Sequence, residues 1–209
     1  VAKLQQDMHF GYVQDDWRLN DRLTPHLGLR YEFATPWVEE DNVLSNFNPA
    51  TRSMVMAKDG SLTDRSTLNP DTNNFAPRLG VAYRFDEKTV LRGGFGTTII
   101  PFPDNRYAYN FPVKQTEQFN APNTFAPAGK MANGFGPPTY FDIPNSGIVD
   151  ASIPQLRNAQ LFYVQPDLKE AKLHSWNVAF QRQLPWNLVA EVAYVGNVGR
   201  DIVLPDYNI

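Results

Sequence analysis

Three histidines, His9, His26 and His174, are the side chains of this 209-residue chain best suited to acid–base or metal chemistry near neutral pH. They lie far apart, with neither the i, i+4 pairing of HExxH nor any other ligand spacing, and each reads as a polar residue of a wall. No GxSxG nucleophile turn and no phosphate loop occurs. Gly93-Gly94-Phe95-Gly96 has the glycines of a nucleotide loop, but no helical pattern follows it to offer N-terminal amides. Glycines inside a strand mark bends or close backbone approaches instead. The absence of cysteine removes disulfides, thiol chemistry and Cys-ligated zinc. The expectation is a protein that is not an enzyme and holds no cofactor and no metal.

The remaining chemistry is that of charges and rings. Arg30, Glu32, Arg78, Arg84, Arg92 and Glu191 stand singly at alternate positions of extended segments, which suits a hydrated wall better than catalytic acids and bases. Asp167, Lys169, Glu170 and Lys172 form a short charge run that reads as solvated. Residues 101–172 hold the densest aromatic chemistry: Phe102, Tyr107, Tyr109, Phe111, Phe119, Phe125, Phe135, Tyr140, Phe141, Phe162 and Tyr163. They stand among Asn, Gln and 10 of the chain's 17 prolines. Ring faces beside amides suit sugars, peptides or planar chelates, and serve equally well to fold the segment on itself. A net charge of −3 and a pI near 5.6, without clustered Lys or Arg, argue against a nucleic-acid partner.

The elements that must carry these residues are strands. From Leu23 to Phe33 the odd positions are Leu, Pro, Leu, Leu, Tyr and Phe, and the even ones Thr, His, Gly, Arg and Glu. Pro77–Phe85 repeats the pattern, with Leu79, Val81 and Tyr83 against Arg78, Gly80, Ala82 and Arg84. Side chains on a strand alternate between faces, so each segment has one apolar and one polar or small face. Four more segments follow the rule less strictly. In one of them Asp15 falls on the apolar side, which a bulge or a place near the end of the strand would resolve. The expected strands lie near 8–19, 23–35, 75–86, 89–100, 173–184 and 187–198. Asn20-Asp21-Arg22, Asp86-Glu87-Lys88 and Pro185-Trp186-Asn187 join them as three hairpins. Long loops, 36–74 and 101–172, separate the hairpins.

Short turns at one end and long loops at the other, with strands of about 9–13 residues, fit a transmembrane β-barrel with periplasmic turns and extracellular loops. No apolar run reaches the roughly 18–20 residues of a helical span. Aromatic residues fall toward both ends: Trp17, Phe85 and Trp186 near the short turns, Tyr31, Phe33, Trp176 and Tyr194 toward the long loops. In a barrel they form interfacial girdles, and Arg30, Glu32, Arg78, Arg84, Arg92 and Glu191 face the lumen. The fold class is therefore all-β, an antiparallel up-and-down outer-membrane barrel segment occupying residues 1–209. The same rings would alternatively plug the core of a soluble, secreted, carbohydrate-binding β-sandwich.

Tyr12-Val13-Gln14-Asp15-Asp16-Trp17-Arg18 and Leu27-Gly28-Leu29-Arg30-Tyr31-Glu32 resemble barrel strands of TonB-dependent outer-membrane receptors. Phe75-Ala76-Pro77-Arg78-Leu79-Gly80-Val81-Ala82-Tyr83 and Thr89-Val90-Leu91-Arg92-Gly93-Gly94-Phe95-Gly96 resemble the next hairpin of that family. His174-Ser175-Trp176-Asn177 and Glu191-Val192-Ala193-Tyr194-Val195-Gly196-Asn197 are similar to its Oar-like branch. The resemblance implies a 22-stranded barrel around a plug, which binds a scarce extracellular substrate and imports it with energy passed through TonB. Six strands then make this chain an internal segment of the wall. Its partners would be outer-membrane lipid, the plug, the remaining strands, the TonB complex and an extracellular ligand. A passive barrel or adhesin without energy coupling is the alternative within the membrane.

Overall fold

The computed structural model describes residues 2–101, 110–114, 121, 123–134, 142–153, 156 and 159–203. Its elements in chain order begin with β1 (Leu4–Gln5), β2 (Met8–Asp16), β3 (Leu23–Ala34), β4 (Val38–Glu39), β5 (Ser45–Asn48) and β6 (Ser53–Met56). They continue with α1 (Leu62–Ser66), β7 (Phe75–Asp86), β8 (Thr89–Ile100), β9 (Ile148–Asp150), β10 (Ala171–Gln183) and β11 (Val189–Arg200). These divide into two compact units.

One unit, Asp7–Ala34, Asp71–Phe102 and Lys169–Ile209, is a single six-stranded sheet in the order β11-β10-β8-β7-β3-β2. Every pair is antiparallel and every strand lies beside its neighbour in the hairpin series, which is the up-and-down topology expected. A 12-residue strand at about 3.3 Å per residue reaches about 40 Å, or about 28 Å of depth when tilted ~45°, close to the hydrocarbon thickness. β7 and β8 have the expected bounds. β2 stops at Asp16, short of Leu19, because Asn20 Oδ1 accepts from the N–H groups of Arg22 and Leu23 and widens the turn. Arg18 and Asp21 close that turn with an ion pair of 2.6 Å.

β10 and β11 run two residues beyond expectation at their outer ends, to Ala171 and Arg200. Their turn explains β11's later start. Trp186 (φ 62°, ψ 29°) and Asn187 (φ 58°) both take the left-handed conformation, the geometry of a type I′ hairpin whose twist matches the strands. Bulky residues rarely adopt it, and a non-glycine there costs roughly 1–2 kcal/mol. In the turn between β7 and β8, Lys88 N–H is bound to Asp86 Oδ1 at 2.7 Å. A register shift between Arg84 and Asp86 places a bulge beside it.

The other unit, Val1–Gln6, Thr35–Pro70 and Pro103–Leu168, combines the N-terminal segment with most of the two long connections, which are folded rather than plain loops. β5, β6 and β9 form an antiparallel sheet, and β1 pairs with β4. Met54, Met56, Phe111, Val149 and Leu156 make its core. α1 is fixed by a capping box between Ser61 and Asp64. Two buried asparagines stand in for missing strand partners. Asn46 donates to Val164 O (2.7 Å) and accepts from Val164 N (2.9 Å). Asn110 does the same with Phe162 (2.9 and 2.8 Å) and also donates to Ser45 O (3.0 Å). An amide side chain presents the donor and acceptor of a peptide group, so it continues a ladder where the backbone cannot.

Candidate functional site

Directly paired residues of neighbouring strands point the same way, so the register fixes what each face of the six-stranded sheet carries. On one face Leu23, Pro25, Leu27, Leu29 and Tyr31 stand opposite Tyr83, Val81, Leu79, Pro77 and Phe75. The rows continue from Leu79 to Phe95 and Trp176, and from Tyr83 to Leu91, Phe180 and Val192. Through the middle of β3, β7, β8, β10 and β11 this face is apolar and continuous. No second layer covers its middle among the described residues: Leu27, Leu79, Val178 and Val192 are 46%, 50%, 47% and 75% exposed. In water such a face would be a large unpaired apolar patch.

The opposite face carries Arg30, Glu32, Arg78, Arg84, Arg92 and Glu191, all six of the expected wall charges. Gly28, Gly80, Gly94 and Gly96 lie among them, with Ser175, Asn177 and Gln181. Arg30 pairs with Glu32 (Nε to Oε1, 3.0 Å) and sits 5.4 Å from the Phe10 ring centre. Arg84 donates to Asp21 O at 2.7 Å. The face does not gather the six charges into one cluster. At the β2 edge, Phe10, Tyr12, Gln14, Gly28, Arg30 and Arg78 border a shallow recess of about 300 Å³.

The aromatic residues divide. Trp17 continues the apolar face past β2, its N–H bonding Pro25 O at 3.0 Å. Phe85 packs edge-on against Tyr83 at 4.8 Å beside the bulge. Trp186 is 90% exposed at the tip of its turn. Tyr31 lies toward the opposite end, 5.0 Å from Phe75, and Phe33 stacks on His9 at 6.3 Å. Trp176 and Tyr194, by contrast, fall near the middle of β10 and β11. Trp176 covers Gly196, where an added Cβ would come within 2.6–2.7 Å of the indole, so this ring packs against the sheet itself. Asp15 shares the apolar face opposite Leu27, in an unbroken register and one residue from the end of β2; no bulge is involved.

The histidines remain separate. His26 Nδ1 lies 2.7 Å from Asp16, His174 Nδ1 lies 2.9 Å from Thr97 Oγ1, and no metal-binding set of three His, Cys, Asp or Glu occurs among the described residues. In the second connection, Phe111 is a core residue at 6% exposure, whereas Phe125 is fully open at 98%. Phe102, Tyr107, Tyr109, Phe119, Phe135, Tyr140 and Phe141 lie outside the described residues.

In the charge run before β10, Asp167 and Lys169 are exposed and Lys172 is half-buried, as a solvated segment requires, but Glu170 is not. Glu170 is 7% exposed, and burial, with the negative charges of Asp71 and Glu32 and against the pull of Lys172, pushes its carboxyl up to about 7. Asp71 lies 99 residues away in sequence and accepts the Glu170 N–H at 3.1 Å. No local pattern could have paired them.

A family model described as an outer membrane beta barrel domain matches residues 1–209. No curated protein and no solved structure matches the chain.

Proposed function

The chain belongs to the outer membrane beta barrel family along its whole length, and from that premise we propose that it forms wall strands of an Oar-like TonB-dependent receptor that binds and imports a scarce extracellular substrate. A bacterial outer-membrane location accounts for the open apolar face, since lipid is the solvent that such a face requires. The motif order along β2, β3, β7, β8, β10 and β11 supports the receptor reading. The observation that carries it is the folded state of the two long connections. Asn46 and Asn110 tie them into one hydrogen-bonded unit around Met54 and Phe111. A pore that only admits solutes has no need of such a unit, whereas recognition requires groups held in place.

On this reading lipid covers the apolar face, the plug meets the face of Arg30, Glu32, Arg78, Arg84, Arg92 and Glu191, and further strands of the protein pair with β2 and β11. TonB acts through other parts of the protein, and the chain performs no catalysis. The test uses the complete protein in its host. Deleting TonB is expected to abolish substrate-dependent growth while cells still bind the substrate. Growth unaffected by the deletion would instead establish a passive barrel. Surface attachment lost on deleting the barrel gene but kept without TonB would establish an adhesin.

A further inference from the structure

β7 and β10 each begin where a long connection re-enters the sheet, and β8 lies between them. Asp71 stands ahead of β7, its side chain only 3% exposed, and Glu170 stands ahead of β10 at 7%. Asp71 accepts the Glu170 N–H at 3.1 Å and Lys169 Nζ at 3.3 Å. Lys172 Nζ reaches both the carbonyl and side-chain oxygens of Asn73 at 3.4 Å. On the other side Asn74 donates to Asp71 O at 3.1 Å, and its own carbonyl accepts from Glu32 N at 3.0 Å. The entries of β7 and β10 are thus stitched to each other and to β3.

One member of this arrangement does not fit an ionised state. Glu170 Oε2 is buried without a hydrogen-bond partner, as is Asn74 Oδ1. The charges around Glu170 are Asp71 and Glu32, both negative, and Lys172. Lys169 is engaged by Asp71, and Glu32 by Arg30. A second bare carboxylate beside Asp71, out of water and unbonded, is strongly disfavoured. We propose that Glu170 is a proton-operated latch: its neutral carboxyl lets the entries of β7 and β10 pack together, and loss of the proton loosens them. Its carboxyl is raised to about 7, which puts the change near neutrality. The stabilisation is complete below the ordinary value of 4.5, falls as pH rises from there to about 7, and is gone above it.

Hydrogen exchange of the complete protein in detergent micelles tests the latch, read on peptides covering residues 69–75 and 168–173 and corrected for intrinsic rate. Protection at pH 8.5 is expected to be lower than at pH 5.5 by at least about tenfold, with a ceiling of about 30-fold over that interval for a carboxyl moved from 4.5 to about 7. E170Q is expected to be protected equally at both pH values. Protection independent of pH in the natural protein overturns the proposal. So does an unchanged pH dependence in E170Q, which would assign the titration to a histidine. Should E170Q not fold, D71N is read instead: removing one neighbouring charge is expected to move the midpoint toward acid, and an unmoved midpoint overturns the latch.

Discussion

Replacing Val178 with arginine tests the sidedness of the sheet. Val178 lies in the middle of β10 on the apolar face, between Gly93 and Tyr194, and is 47% exposed. If lipid covers that face, an arginine there costs about 2–4 kcal/mol near the bilayer midplane. Losing about half of a valine's ~1.5 kcal/mol of apolar transfer adds a further ~0.7 kcal/mol. The expected loss is about 3–5 kcal/mol. The control lies three residues along the same strand. Gln181 is on the polar face, paired with Val90 and with Glu191, so Gln181→Arg sets opposite charges across the strands and changes stability by less than about 1 kcal/mol. Equilibrium urea unfolding of the complete protein from phospholipid vesicles measures both. Equal losses in the two variants would refute the assignment of faces, and a greater loss for Gln181→Arg would reverse it.

Further outcomes concern packing. Phe111→Ala empties a ring position in the core of Met54, Met56, Val149 and Leu156 and is expected to cost about 3–5 kcal/mol. Limited proteolysis should show cleavage in the connections while the six-stranded sheet stays intact; loss of the whole barrel would contradict their division into separate units. Gly196→Ala puts a methyl group within 2.6–2.7 Å of the Trp176 ring and is expected to cost about 1–3 kcal/mol. Combining it with Trp176→Ala should recover part of that loss in the same urea titration. Additive losses would mean that the ring does not cover Gly196.

The sheet was legible because its information is local. Alternation over Leu23–Phe33 and Pro77–Phe85 needs no knowledge of the rest of the chain, and the cross-strand pairs Leu27–Leu79 and Arg78–Gly96 follow once hairpins are placed side by side. What the sequence concealed depends on distant partners. Asn46 meets Val164 across 118 residues and Asp71 meets Glu170 across 99, and neither pair has any spacing rule. The aromatic segment was therefore open between ligand binding and self-packing. Phe111 is self-packed, and the amides of Asn46 and Asn110 are taken up by the fold. The burial of Glu170 within an otherwise exposed charge run escapes the sequence for the same reason, since alternation and composition do not reveal what covers a residue from elsewhere. Trp176 was placed by its residue type at a rim, whereas a bare glycine on the next strand holds it mid-sheet.

The central claim, lipid on one face and a hydrated interior on the other, is tested most directly along β7. The chain has no cysteine, so single cysteines at positions 77–84 can each carry a spin label without background from it. In proteoliposomes of the complete protein, the account predicts strict alternation. Labels at Pro77, Leu79, Val81 and Tyr83 should collide with lipid-soluble oxygen, and those at Arg78, Gly80, Ala82 and Arg84 with a water-soluble metal chelate. Uniform chelate access at all eight positions, or the opposite alternation, would contradict it.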